Sequence, residues 1–194
     1  HMLLKAMQGL ELYRIDMCRL SEDAIEAVLQ SGHIYEVGGA VRDRYLFKTE
    51  TDQDHDYLVT GISYDDLTRI LNKFGRVDLV GRSFGVIKFT QRVQGEPRTF
   101  DIALPRKEFS TGTGHRDFSV TFDPNLSVED DLKRRDFTVN AMAVELGTDR
   151  LLDPLGGLVD LEKRQLRIVY EDSFKDDPLR MLRAVQFAAR FEFA

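Results

Sequence analysis

The run Ile34-Tyr35-Glu36-Val37 is short and β-prone, and it passes directly into Gly38-Gly39. A strand that ends in a glycine pair leaves its backbone free to come close to whatever lies beyond it. Ahead of this run, Ser21 followed by Glu22 and Asp23 reads as a helix N-cap with an acidic first turn; Ala24, Ile25, Val28 and Leu29 form its apolar stripe and Gly32 its stop. After it, strand-like runs are expected in the latter half of residues 54–60 and at 76–80, 84–90 and 98–104, with a helical pattern over 65–74. Helix and strand patterns alternating with short polar breaks predict an α/β domain, of the α+β kind, with a small mixed sheet flanked by helices.

Later segments are read the same way. Residues 109–125 contain Ser110-Thr111-Gly112-Thr113-Gly114 and no apolar period, which predicts a mobile loop. Ser127 caps a helix through Glu129, Asp130 and Asp131, and residues 138–146 and 151–152 are expected to pair as strands around a turn at 147–150. Asp177 with Pro178 starts a last helix predicted to run to Phe193 without a C-cap. On it Arg180, Arg183, Phe187 and Arg190 share one face, and Leu182, Val185, Ala189 and Phe193 another.

Composition narrows the classes. The 194 residues are 42% hydrophobic and 31% charged, enough for a real core. No apolar run approaches the roughly 18 residues of a membrane span, and no secretory signal is evident, so a cytoplasmic location without a membrane partner is expected. Cys18 is the only cysteine, which excludes an internal disulfide and a cysteine-rich zinc site. A formal net charge of -6 argues against a basic nucleic-acid coat but leaves room for a local cationic groove. His1-Met2 reads as a cloning scar.

Several residues could carry chemistry. Asp54 and Asp56 lie two apart where a strand begins, so their carboxylates share a face while His55 points away. This spacing suits a pair of hard divalent cations such as Mg²⁺; it also suits a turn former or solvated charge. Asp101 alternates with Phe100 and Ile102 and is the candidate third carboxylate. Gly38-Gly39 could offer backbone N–H groups to phosphate or make an ordinary tight turn, with Arg42, Arg44 and Lys48 adding positive charge nearby. In Lys133-Arg134-Arg135-Asp136-Phe137-Thr138-Val139-Asn140, cations beside a carboxylate and an amide could bind phosphates and a ribose, or simply close a helix. Asp177 and Arg180, one turn apart, form either a solvated pair or an acceptor-donor set that matches the edges of cytosine and adenine.

Taken in order, four segments carry a resemblance: Val37-Gly38-Gly39-Ala40-Val41-Arg42-Asp43; Asp54-His55-Asp56; Arg134-Arg135-Asp136-Phe137-Thr138-Val139-Asn140-Ala141; and Asp176-Asp177-Pro178-Leu179-Arg180-Met181-Leu182-Arg183 with its continuation to Phe191. The chain resembles the class II CCA-adding tRNA nucleotidyltransferase and bacterial poly(A) polymerase family. The resemblance implies a polymerase-β-like nucleotidyltransferase head over residues 3–150 and the start of an all-helical, base-reading neck over 151–194, after the scar at 1–2. It implies addition of C or A from CTP or ATP to the 3′ end of tRNA or another RNA with two Mg²⁺ ions, and no DNA partner.

By motif, Asp54 and Asp56 would hold the metals, with Asp101 where the family carries a third carboxylate, usually Glu. Gly38 and Gly39 would flank the triphosphate, with Arg42 adding to the nucleotide site; Asp136 and Asn140 would hold the sugar beside Arg135, Asp177 with Arg180 would read the base, and Arg183 would lie near the phosphates. The segment around 112–118 falls where the family has a flexible element linked to switching from C to A. Two departures stand out: the stretch from Asp43 to Asp54 is longer than usual, which makes Asp52-Gln53-Asp54 a rival register, and Asp176 replaces a usual Glu. The family continues into further helical regions, so an isolated head fragment is expected. Poly(A) addition, C-only or A-only addition, and nucleotide binding without turnover remain as alternatives.

Overall fold

The computed structural model describes residues 19–47, 55–110, 118–170 and 179–193. Helix α1 (Glu22–Leu29) starts where Ser21 accepts a hydrogen bond from the Ala24 N–H, a cap of about 1 kcal/mol. Strand β1 (His33–Val37) follows and leads into α2 (Gly39–Phe47). Next come β2 (Asp56–Thr60), α3 (Tyr64–Leu71) and β3 (Arg76–Asp78), then a 3₁₀ turn at Arg82–Phe84 ahead of β4 (Val86–Val93). The remaining elements are β5 (Glu96–Ala103), β6 (Arg106–Ser110), β7 (Phe118–Phe122), α4 (Val128–Leu132), a 3₁₀ turn at Thr138–Asn140, β8 (Ala143–Glu145), β9 (Arg150–Leu152), α5 (Gly157–Glu162) and α6 (Leu179–Phe191).

Seven strands form one mixed sheet in the order β3-β4-β5-β2-β1-β8-β9. Only β2 and β5 pair in parallel. One apolar cluster joins α1 and α3 to the sheet through Val28, Leu67, Leu71, Ile87, Phe89 and Ile102. These side chains are essentially sealed from water, and each contributes about 1.5–3 kcal/mol by burial. A second cluster packs Val41 of α2 and Phe137 against Phe191 and Phe193. Among the described residues no helix is long and apolar enough to cross a membrane.

The α/β architecture expected from the sequence is present, with four local corrections. The predicted loop over 109–125 is in its described parts a hairpin: β6 pairs with β7 from Arg106↔Phe122 to Ser110↔Phe118. The ladder satisfies backbone groups that a loop would leave to water, and Phe122 packs against the Tyr64 ring at 5.6 Å. The expected strand over 138–146 begins as a 3₁₀ turn, because Asn140 N–H donates to Phe137 O and the Thr138 hydroxyl donates to buried Asp160. The last helix does not run on to Phe193. Glu192 takes φ 55° and the Phe193 N–H donates to Ala188 O, a left-handed capping turn.

The fourth correction concerns the faces of α6. The apolar face grouped with Phe193 is split: Leu182 and Val185 are 55% and 64% exposed while Phe193 is buried, and Arg180 of the opposite face is buried with Phe191. Aromatic stacking decides the rotation: Phe187 lies 4.6 Å from Phe191 and 5.4 Å from Phe193, and both neighbours belong to the core. The proposed start of this helix, Asp177 with Pro178, lies outside the described residues, as do Cys18, Lys48, Asp52, Asp54, Asp176 and residues 111–117.

Candidate functional site

The parallel pairing of β2 and β5 sets Tyr57 opposite Ile102 and Leu58 opposite Ala103. Asp56 and Asp101 each stand one residue earlier, so they occupy the same level on adjacent strands. Both line a single cleft of about 500 Å³ that also takes in Gly38, Arg135, Asp136 and Arg183. Hard carboxylate oxygens in a water-accessible cleft suit a divalent cation, and these two residues fit one. Among the described residues no group of three or more His, Cys, Asp or Glu side chains forms a full coordinating set, and Asp54 lies outside them.

Val37 pairs with Asp56 at the last rung between β1 and β2. Gly38 then turns away with φ 80°, and a Cβ there would stand 3.5 Å from Asp56 Oδ2 and 3.9 Å from a terminal nitrogen of Arg135. A side chain at Gly38 would therefore project toward both the carboxylate and the guanidinium. Helix α2 starts at Gly39, and its first turn closes with the Arg42 N–H donating to Gly38 O at 3.2 Å. The partial positive charge of that helix end suits an anion at the glycine pair.

Arg42 lines the same cleft, yet its side chain is only 11% exposed. Its Nε donates to Asp43 Oδ1 at 2.6 Å, and a terminal nitrogen donates to Asn140 Oδ1 at 2.8 Å. Its guanidinium lies 4.9 Å from the Phe187 ring and 5.0 Å from that of Phe191. Asn140 Nδ2 in turn donates to Asp136 Oδ1 at 3.2 Å, and Arg183 Nε stands 3.8 Å from Asp136 Oδ2. The sequence-predicted residues Arg42, Asn140, Asp136 and Arg183 thus form one connected chain from α2 to α6. Arg180 is buried near them, with its guanidinium 5.4 Å from the Tyr170 ring and one nitrogen donating to the Tyr170 hydroxyl.

The arginine pair at 134–135 is organised by a residue the sequence reading treated only as part of an acidic helix start. Asp131, 1% exposed, accepts from Arg134 Nε at 3.1 Å, from Arg135 at 3.2 Å and from the Arg106 N–H at 3.3 Å. The signal was its spacing of three and four residues from the two arginines at the end of α4. Lys88 was also missed. It sits opposite Asp101 across β4 and β5, with Nζ 2.8 Å from Oδ1. That bond and the charge of Asp101 raise the ammonium pKa.

Comparison with known proteins shows which family the chain belongs to. A family profile described as the poly A polymerase head domain matches residues 34–167. The multifunctional CCA protein of Stenotrophomonas maltophilia (strain K279a) is 44% identical over 158 residues, covering 81% of this chain and 36% of that protein. The crystal structure of the Bacillus stearothermophilus CCA-adding enzyme in complex with CTP aligns with TM-score 0.71 and 32% identity over 88% of this chain and 38% of that one. A tRNA nucleotidyltransferase complexed with a primer tRNA and an incoming ATP analog aligns with TM-score 0.66 and 31% identity over 88% and 45% of the two chains. The chain spans about a third of the length of the curated relatives it matches. With its match across residues 34–167, the chain belongs to the poly A polymerase head domain family.

Proposed function

We propose that this chain is the head of a template-independent RNA nucleotidyltransferase that adds C and A from CTP and ATP to the 3′ end of tRNA, with Mg²⁺ as its divalent cation. The observation that carries the reading is the level pairing of Asp56 with Asp101 at a cleft holding Gly38, Arg135 and Asp136. Support for the substrates comes from the aligned proteins, one of them holding CTP and another a primer tRNA with an ATP analog.

In this reaction the RNA 3′ hydroxyl oxygen bonds to the α-phosphorus, the bond to the β-phosphate oxygen breaks, and pyrophosphate leaves. Asp54 and Asp56 would hold the cations, which when bound would lower the pKa of the attacking hydroxyl and offset charge on the leaving group. Asp101 accepts the hydroxyl proton. Gly38 and Gly39 bind the triphosphate through backbone N–H groups, and Arg135 and Arg183 add charge to it. Asp136 and Asn140 accept and donate to the ribose hydroxyls. Arg42, already bonded to Asn140, acts by orienting that amide. Asp177 accepts from, and Arg180 donates to, the base edge, a pattern that suits C and A and opposes G and U.

The test is incorporation of each labelled ribonucleotide, singly and together with Mg²⁺, into tRNA transcripts ending before the first C, the second C and the A. Sequential C, C and A is the expected result. Addition of A alone to any RNA would instead favour poly(A) synthesis. Absence of incorporation, with CTP and ATP bound no more tightly than GTP and UTP, overturns the reading.

A further inference from the structure

A buried charge cluster lies on the face of the sheet opposite Asp56. Glu36 of β1 is fully buried, and three cationic or ionisable side chains converge on it: Arg44 at 2.7 Å, His55 Nδ1 at 2.8 Å and Arg19 at 3.3 Å. Glu36 pairs across the ladder with Tyr57. His55, two residues before Tyr57, is 2% exposed, and its ring lies 6.4 Å from that of Tyr57 in a stacked arrangement. Glu36, His55 and Tyr57 therefore share one face of the sheet, and Asp56 between them takes the other.

Asp56 is the end rung of β2 and is paired in the ladder to β1 alone. Pairing of β2 with β1 ends at Val37↔Asp56, because Gly38 turns away, and pairing with β5 reaches back only to Tyr57↔Ile102. Among the described residues His55 is the first beyond both ladders, and its contacts with Glu36 and the Tyr57 ring fasten it to the sheet. The Glu36 carboxylate thus reaches the one side chain that separates Asp54 from Asp56.

We propose that Glu36, through His55, is a positioning residue that holds Asp56, the end rung of β2, in its cation-binding geometry. This rests on the functional reading above, in which the two aspartates hold the metal. Outer partners of this kind change metal affinity without touching the ion.

The test uses the full chain and Mn²⁺ alone, with free Mn²⁺ read by electron paramagnetic resonance and folding checked by thermal melting. His55→Phe keeps the ring and its stack on Tyr57 but has no N–H; His55→Asn loses the ring but places an amide nitrogen where Nδ1 stands. The expected result is a loss of at least about tenfold in Mn²⁺ affinity for His55→Phe and a value within about threefold of the parent for His55→Asn. A packing role gives the opposite order, and that order overturns the proposal. If His55→Phe does not fold, His55→Asn decides alone: retained affinity supports the tether and a tenfold loss, with the fold intact, rejects it. Asp56→Asn serves as the separate control, since unchanged Mn²⁺ binding in that variant removes the metal assignment itself rather than the tether.

Discussion

Asp56 and Asp101 stand level on two parallel strands, one residue before the Tyr57↔Ile102 and Leu58↔Ala103 pairs. Both carboxylates line one water-accessible cleft, so their placement suits a shared cation. Asp56→Asn and Asp101→Asn are each expected to slow nucleotide incorporation by about a hundredfold or more, while the melting temperature holds or rises. Single-turnover primer extension beside thermal melting checks both halves. Full activity in Asp101→Asn would remove it from the catalytic set.

Lys88 competes for the same carboxylate through its contact with Asp101. Replacing it with methionine keeps the stem and deletes the charge. The Mg²⁺ concentration for half-maximal activity is then expected to fall by roughly three- to fivefold, with the effect shrinking in high salt. A Mg²⁺ titration at two ionic strengths reads this directly; an unchanged midpoint means that Lys88 does not oppose the metal.

Asp131 is buried beneath the two arginines it holds. Asp131→Asn removes the charge that balances them, at a cost of about 3 kcal/mol or more, and should raise the KM for CTP as Arg135 loses its anchor. Asp130→Ala, one residue earlier, deletes only the capping-box partner of Ser127 and should cost about 1 kcal/mol with no change in KM. Urea unfolding and steady-state kinetics on the pair separate the two roles.

Gly38 adopts φ 80°, which a side chain disfavours by about 1–2 kcal/mol, although its Cβ would meet Asp56 Oδ2 only at ordinary contact distance. Gly38→Ala should therefore fold with slightly reduced stability but lose activity disproportionately, because relief of the strain moves backbone lying beside Asp56 and Arg135. Equal fractional losses in stability and rate would argue for a turn with no part in binding.

Burial raises the Glu36 carboxyl, but the hydrogen bond from His55 and the charges of His55, Arg44 and Arg19 outweigh it and hold the group at about 2, below an ordinary 4.5. A carboxylate depressed in the folded state adds stability that is complete above its unfolded value and is lost as pH falls toward the folded one. That interval is worth about 3 kcal/mol, at roughly 1.4 kcal/mol per pH unit. The parent chain should lose this contribution between about pH 4.5 and pH 2, and Glu36→Gln should show a shallower slope there with lower stability near neutrality. Urea midpoints measured across that range supply the comparison, and parallel slopes would contradict it.

Helix starts were legible in the sequence wherever the cap is local. Ser21 and Ser127 each accept from an N–H a few residues on, and no distant part of the chain is needed to fix that. The same holds for the strand ending in Gly38-Gly39 and for the family resemblance, which the profile match over residues 34–167 bears out. Four features depended on partners remote in sequence. The β6–β7 ladder rescued a segment whose polar composition reads as loop, and Phe187, Phe191 and Phe193 turned α6 so that Leu182 and Val185 face water. Asp131 became an anchor only when two arginines and the Arg106 backbone closed on it, and Glu36 became a buried hub only when Arg19, Arg44 and His55 arrived from separate segments. Sequence alone thus determined which residues the site has to work with and where its elements begin, because caps and periodicity act within a turn or two. Tertiary structure decided which carboxylates face one another and which charges are buried, because strand register and desolvation are set by the neighbours that folding brings together.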